Sequence, residues 1–223
     1  MALAIFDLDS TLIEGDSDFL WGQYLVDLGV VDAAEYAAKN AQFFADYQAG
    51  ILDIAAFQRF ALRPLAQNTL GDLIRWRADF VADRIRPLIR PKALERVLQH
   101  HRAGDVLLII TATNSFVTRP IADCFGIVHL IGTEPERVGD QITGNVSGIP
   151  SFHTGKVIRL RDWLQGHQLS LAGSLFYSDS HNDLPLLQTV DHPIAVNPDE
   201  VLRAHAATHG WPVRDWCHTA VAG

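Results

Sequence analysis

Two carboxylates one residue apart, Asp7 and Asp9, followed by Ser10 and Thr11, close a short apolar run at residues 2–6. Extended chain alternation sends Asp7 and Asp9 to the same side, where one can attack while the other handles a proton. A carboxylate nucleophile can take up a phosphoryl group as an aspartyl-phosphate, which splits one difficult transfer into two easier steps. Alone the pattern is suggestive only, because Asp-x-Asp-x-Thr arises by chance in a chain this long at roughly a few per cent.

Three further polar groups stand beside it. Thr111 ends the apolar run 106–110 and leads into Ala112, Thr113 and Asn114. A hydroxyl and backbone N–H groups near a helix start suit phosphate oxygens, although Thr111 or Asn114 could equally be a helix cap. Lys156 follows Gly155 at an expected helix start, where the helix dipole offers a cation nothing, so the misfit points to function. The ordinary alternative is a solvated surface lysine. Finally, Ser178-Asp179-Ser180-His181-Asn182-Asp183 follows the run 174–177. Its acids would repel one another and Asp7, and a hard divalent cation, magnesium first, would offset that repulsion. Here too a helix cap by Asn182 or Asp183 is the alternative.

The elements that must position these groups follow from periodicity. Runs at 2–6, 106–110, 127–131, 174–177 and 194–196 read as buried strands, and 92–101, 115–125, 156–164 and 184–189 as helices between them. Strands alternating with helices imply an α/β doubly wound parallel sheet whose strand ends share one crevice. Residues 16–89 carry helical spacing and few strand signals, so they read as a helical domain inserted after the first strand into a core made of 1–15 and 90–223. Glycines at 139, 144 and 148 suggest a small β-extension over 134–149.

Composition narrows the partners. A chain of 223 residues with 48% hydrophobic content can bury a full domain, and its net charge of −8 gives no attraction for nucleic acid or an anionic membrane. Cys124 and Cys217, without CxxC spacing, indicate neither a disulfide framework nor a thiolate metal site, and the first apolar stretch lacks the basic flank of a signal peptide. The expectation is a cytoplasmic protein, monomer or homodimer, acting on a small phosphorylated metabolite.

With Asp7-Leu8-Asp9-Ser10-Thr11, Thr111, Lys156 and Asp179 through Asp183 in this order, the chain resembles the haloacid dehalogenase-like superfamily, in its phosphoserine phosphatase-like branch. The resemblance implies a Rossmann-like core with a helical cap that closes over the site. It also implies Asp7 as nucleophile and Asp9 as general acid, then general base. Mg2+ would be held by Asp7, the Asp9 carbonyl and Asp179, with Asp183 close by. Thr111 and Lys156 would bind the phosphoryl group, and Asn182 would contact it or the water. Asp16, nine residues after Asp7, stands where the phosphoserine enzymes carry a Glu that reads the amine; Arg59 lies two residues before the position of their carboxylate-reading arginine. The stretch from Asp16 to Trp21 further resembles bacterial relatives whose substrates include histidinol phosphate. A phosphotransferase of the same superfamily and a noncatalytic binding module are the alternatives.

Other signals carry less weight. His100-His101 and the pair His205/His209 read as surface helix residues, since the latter lacks the Glu of a metalloprotease helix. The tryptophans read as packing groups, with Trp21 able to line the cap pocket.

Overall fold

The computed structural model describes residues 2–217. The first apolar run becomes β1 (Leu3–Phe6), buried at every position. Four helices follow: α1 (Ser17–Asp27), α2 (Ala33–Gln48), α3 (Ile54–Gln67) and α4 (Leu70–Phe80). Each begins the same way, with Asp16, Asp32, Asp53 or Thr69 accepting first-turn N–H groups that have no partner inside the helix. A π turn (Val81–Ile85) and a 3₁₀ turn (Arg86–Leu88) bring the chain back. The outgoing and returning segments are joined by an Ile13–Ile89 bridge and by hydrogen bonds from Glu14 N to Leu88 O (2.7 Å) and from Arg90 N to Leu12 O (3.1 Å).

Pro91, with its fixed φ and missing N–H, then opens α5 (Pro91–Arg102). Next come β2 (Val106–Asn114), α6 (Ser115–Cys124), β3 (His129–Thr133) and a hairpin of β4 (Pro135–Val138) with β5 (Gln141–Val146). The chain continues through α7 (Thr154–His167), β6 (Leu175–Ser178), a 3₁₀ turn (His181–Asp183) and α8 (Leu184–Leu187). It closes with β7 (His192–Val196), α9 (Glu200–His209) and β8 (Val213–Arg214).

Six strands form one parallel sheet in the order β3-β2-β1-β6-β7-β8. Alternate residues feed two apolar layers: Phe6, Ile109 and Tyr177 enter one, and Ile5, Leu108 and Phe176 the other. The chain winds outward from β1 through β2 and β3, then returns to lay β6 on the opposite side of β1. A crevice therefore opens at the carboxyl ends of β1 and β6, where the winding reverses.

The expected α/β doubly wound sheet, helical insertion and β-extension are all present. Several limits differ. β2 runs on to Asn114, because the chain stays extended through a register shift against β3 between Ile110 and Asn114. Thr111 thus lies inside a strand and not at a helix start. β3 begins two residues later than its apolar run, and the edge strand β8 was too short to leave a pattern. His100 is no surface residue: it is buried, with its ring nitrogens 2.9 Å from Asp105 Oδ2 and 2.8 Å from Tyr177 Oη. No helix among the described residues is long and apolar enough to cross a membrane.

Candidate active site

The N–H of Asp7 still donates to Tyr177 O at 2.9 Å, so its carboxylate stands on the last rung of the β1–β6 ladder. Leu8 is wholly buried in the core, which leaves the flanking Asp7 and Asp9 to face the crevice, close enough for Asp9 to raise the pKa of Asp7. The chain then turns sharply, with Ser10 at φ 56° and its N–H on Gly15 O at 2.9 Å.

Lys156 reaches into the same crevice. Its Nζ lies 2.8 Å from Asp7 Oδ1, and 2.7 and 2.8 Å from the two oxygens of Asp183, with all three side chains buried. The loop before α7 can fold this tightly against the start of the helix only because residue 155 is glycine: a Cβ there would stand 2.1 Å from Pro150 O. Burial alone would push the ammonium toward the neutral form. The charges of Asp183 and Asp7 outweigh that and hold its pKa above the usual lysine range. For Asp7, burial raises the pKa well above the ordinary carboxylate value; Lys156 opposes the rise and Asp183, Asp179 and Asp9 add to it.

The loop after β6 supplies the remaining acids. Asp179 Oδ1 accepts from Thr11 Oγ1 at 3.0 Å, and burial together with Asp183 pushes its pKa up to about 7. Asp183 occupies the N-cap position of α8 but makes no cap hydrogen bond with its side chain; Ser178 Oγ donates to its Oδ2 at 2.7 Å instead. The capping alternative for Asp183 therefore fails, and its oxygens are taken by Lys156 and Ser178. Asn182 is buried and turned toward the helical insertion, its Nδ2 lying 3.4 Å from both Tyr47 O and Ser180 Oγ.

Asp9 is held from three directions. Ser17 N donates to Oδ1 at 2.7 Å, while Thr113 Oγ1 at 2.9 Å and Thr111 Oγ1 at 3.3 Å donate to Oδ2. Thr111 thus touches Asp9 and also accepts from Thr113 N at 3.2 Å. Asn114 caps α6 through Oδ1 to Val117 N (3.1 Å), as the capping alternative anticipated, and points Nδ2 at Asp18 Oδ1, 3.5 Å away.

The two cap candidates fare differently. Asp16 spends its Oδ1 on the N–H groups of Asp18 (2.8 Å) and Phe19 (3.0 Å) at the start of α1. Crowding by protein and then the charge of Asp9 push its pKa up to about 6 against those donors. Arg59 is exposed on α3, whereas Gln58 beside it is buried and donates from Nε2 to Ala112 O at 3.2 Å. Crevice contacts absent from the sequence expectations come from Thr113, Tyr47, whose Oη donates to Ser180 Oγ at 2.8 Å, and Asp199. The last accepts His181 N at 2.7 Å and lies 2.8 Å from His181 Nδ1, bracing the 179–183 loop from α9. Thr113 was within reach, since a hydroxyl two residues along a strand from Thr111 shares its side. Tyr47 and Asp199 lie far off in sequence and carry no local signal.

The donor set suits magnesium. Among the described residues no three acidic, histidine or cysteine side chains form a ready-made metal cage. Magnesium needs none, being held by one or two carboxylates together with water and substrate phosphate. Asp7 and Asp179 offer two hard oxygen donors, and the single buried ammonium of Lys156 leaves the four acids of the crevice in excess.

A family model described as haloacid dehalogenase-like hydrolase matches residues 4–188. The chain belongs to this family. It stands among the family's phosphatases, in the phosphoserine phosphatase-like branch. A protein of Neisseria meningitidis named histidinol-phosphatase is 49% identical over 215 residues, covering 95% of this chain and 97% of that one. Phosphoserine phosphatase SerB1 of Mycobacterium tuberculosis is 31% identical, over 96% of this chain and 71% of its own length. Among solved structures, a Bordetella pertussis protein of unknown function superposes with a TM-score of 0.91 at 44% identity, covering 97% and 99% of the two chains. A substrate-bound phosphoserine phosphatase does so at 0.71 with 15% identity, covering 96% and 92%, a likeness of fold.

Proposed function

We propose that this hydrolase cleaves small phosphomonoesters through an aspartyl-phosphate on Asp7, with magnesium, and that its substrate is an amino-alcohol phosphate without a carboxylate, histidinol phosphate first. The observation that carries the mechanism is the triad of Asp7, Lys156 and Asp183 beside a separately clamped Asp9.

A carboxylate oxygen of Asp7 attacks phosphorus and the bond to the leaving alkoxide breaks; the proton of Asp9 goes to that oxygen. Asp9, now ionised, then takes a proton from water, whose oxygen attacks phosphorus and breaks the bond to Asp7. The Thr111 and Thr113 hydroxyls and Ser17 N hold Asp9 at one distance from both events. Lys156, protonated and buried, neutralises the phosphoryl oxygens, which is the main demand of such a transfer. Asp7, Asp179 and the Asp9 carbonyl would hold magnesium, which would supply further positive charge to the transferring phosphoryl group. Helices α1–α4 serve as the cap over the crevice, with Tyr47 meeting the Ser180–Asn182 loop.

The absence of a carboxylate reader supports the substrate class. Among the described residues the buried side chains of fixed positive charge are Lys156 and Arg90, and Arg90 lies where the returning segment meets Ile13. Arg59 is on the exposed side. The name of the Neisseria relative fits the same reading. Phosphate release from histidinol phosphate, phosphoserine and a simple alkyl phosphate, with and without magnesium, tests it. Expected are magnesium-dependent release, a preference for histidinol phosphate, and complete loss in Asp7→Asn; release that survives Asp7→Asn removes the covalent mechanism.

A further inference from the structure

Seven buried side-chain polar atoms lack a partner among the described residues, and four of them belong to α1 and α3: Ser17 Oγ, Asp18 Oδ2 and Trp21 Nε1 on α1, and Gln58 Oε1 on α3. Such atoms are costly when isolated, at about 1–3 kcal/mol each, so a group of them in one region calls for a ligand. Two of the four, Asp18 and Gln58, meet a short stretch of β2. Asp18 Oδ1 is met only by Asn114 Nδ2 at the long distance of 3.5 Å, and Gln58 Nε2 is tied to Ala112 O, two residues earlier. Ser17, one residue before Asp18, places its backbone N–H on Asp9. This stretch thus adjoins Asp9, the group that protonates the leaving oxygen in the proposed mechanism.

Its chemistry is one-sided. Asp18 Oδ2 and Gln58 Oε1 are acceptors without donors, Ser17 Oγ can accept as well, and only Trp21 Nε1 is a donor. The Asp18 carboxyl is 9% exposed and lies close to the acids Asp16 and Asp9; burial first and then those two charges push its pKa well up. The field is felt as far as the Tyr36 hydroxyl, whose pKa Asp18 raises further after burial, and the Tyr36 ring packs against Phe60 with centroids 4.6 Å apart. A group bearing several N–H donors and a positive charge satisfies the two unpaired acceptors, Asp18 Oδ2 and Gln58 Oε1.

Resting on the phosphatase reading above, we propose that Asp18, with Gln58 beside it, is the receptor for the cationic nitrogen end of the substrate, an ammonium or imidazolium group. Asp16 is not, because its Oδ1 is consumed in capping α1.

The test separates binding from turnover. L-Histidinol, the dephosphorylated cation, is titrated calorimetrically into the full chain and into Asp18→Asn and Gln58→Met, and kcat/KM is measured for histidinol phosphate and for phenyl phosphate. A charge-assisted hydrogen bond is worth about 1.5–3 kcal/mol, so Asp18→Asn is expected to weaken histidinol binding roughly 10- to 100-fold and to cut the histidinol-to-phenyl preference by a similar factor. Gln58→Met is expected to lose less, in the same direction. Equal loss on both esters, or histidinol binding unaltered in folded Asp18→Asn, overturns the inference. Wild type that hydrolyses both esters without preference and binds no histidinol overturns it too, and leaves the phosphatase mechanism intact. Wild type that binds histidinol through Asp18 yet releases no phosphate from any ester overturns the mechanism alone.

Discussion

Thr113→Val removes one hydroxyl from the clamp on Asp9 while keeping the shape of the side chain. Thr113 Oγ1 donates to Asp9 Oδ2 at 2.9 Å in a buried position, and the neighbouring Thr111 contact is longer, at 3.3 Å. A hydrogen bond to a charged group contributes about 1.5–3 kcal/mol, and each 1.36 kcal/mol is tenfold in rate, so full expression in the transition state means roughly a 10- to 100-fold loss. The loss must depend on the leaving group. In the mechanism proposed above, an alkyl phosphate needs its departing oxygen protonated by Asp9, whereas an aryl phosphate with an acidic phenol leaves without help. kcat/KM reports formation of the aspartyl-phosphate and should therefore fall for the alkyl ester and hold within about twofold for the aryl ester. On the same proposal, hydrolysis of the intermediate uses Asp9 as base for both, so kcat should fall for both once that step limits. Steady-state phosphate release with the two esters reads all four quantities, and Thr113→Ser should restore them. An equal fall in kcat/KM for both esters would refute the reasoning, since it would mean that the hydroxyl shapes the crevice and does not serve the proton transfer.

Lys156→Met leaves Asp7 and Asp183 buried without their cation, which should abolish turnover and cost about 3–5 kcal/mol in urea unfolding; adding Asp183→Asn should recover part of the stability and none of the activity. Gly155→Ala forces a Cβ to within 2.1 Å of Pro150 O and should depress activity and melting temperature, whereas Gly166→Ala, with open space around it late in α7, should stabilise by about 0.5–1 kcal/mol in the same melting experiment. The pKa of Asp179, raised to about 7 by burial and Asp183, means that between about pH 4 and 7 the unfolded chain has lost a proton that the folded one retains. With metal chelated, the melting temperature should therefore fall as pH rises through that window, and magnesium should restore most of it near pH 7; a rise with pH in the chelated protein would refute this account.

Much of the architecture was written in local pattern. Each buried strand of the parallel sheet is a continuous apolar run, and each helix of the insertion opens on an Asp or Thr, so strand order aside, the α/β plan could be read directly. Strand limits were less legible where polar residues continue an extended chain. Thr111, Thr113 and Asn114 look like the start of a helix, yet pairing with β3 keeps them in β2. Two members of the crevice break a local expectation in the sequence itself, Asp7 as an acid ending an apolar strand and Lys156 as a cation at a helix N-terminus, whereas only the structure shows that Asp183 stands at a cap position without capping. What could not be read was which element would lean over them. Tyr47 and Asp199 reach the 179–183 loop from helices whose packing depends on the whole fold.

Asp16 and Asp18 show where positional analogy and physical use part. In sequence Asp16 has the stronger claim to the substrate, since it occupies the position of an amine-reading acid. A carboxylate at the first residue before a helix has a competing task, however, and here the backbone N–H groups of Asp18 and Phe19 claim its Oδ1. Two residues on, the Asp18 carboxylate has turned into the seam between α1 and the end of β2, where neither water nor the backbone meets its second oxygen. An acid in the first helical turn ordinarily serves the helix dipole from the surface, and only its burial beside Asn114 sets Asp18 apart. If specificity resides in such a buried acid, then exchange of Asp16 should leave the substrate preference nearly unaltered while lowering the melting temperature by the loss of a cap, the reverse of the pattern expected for Asp18.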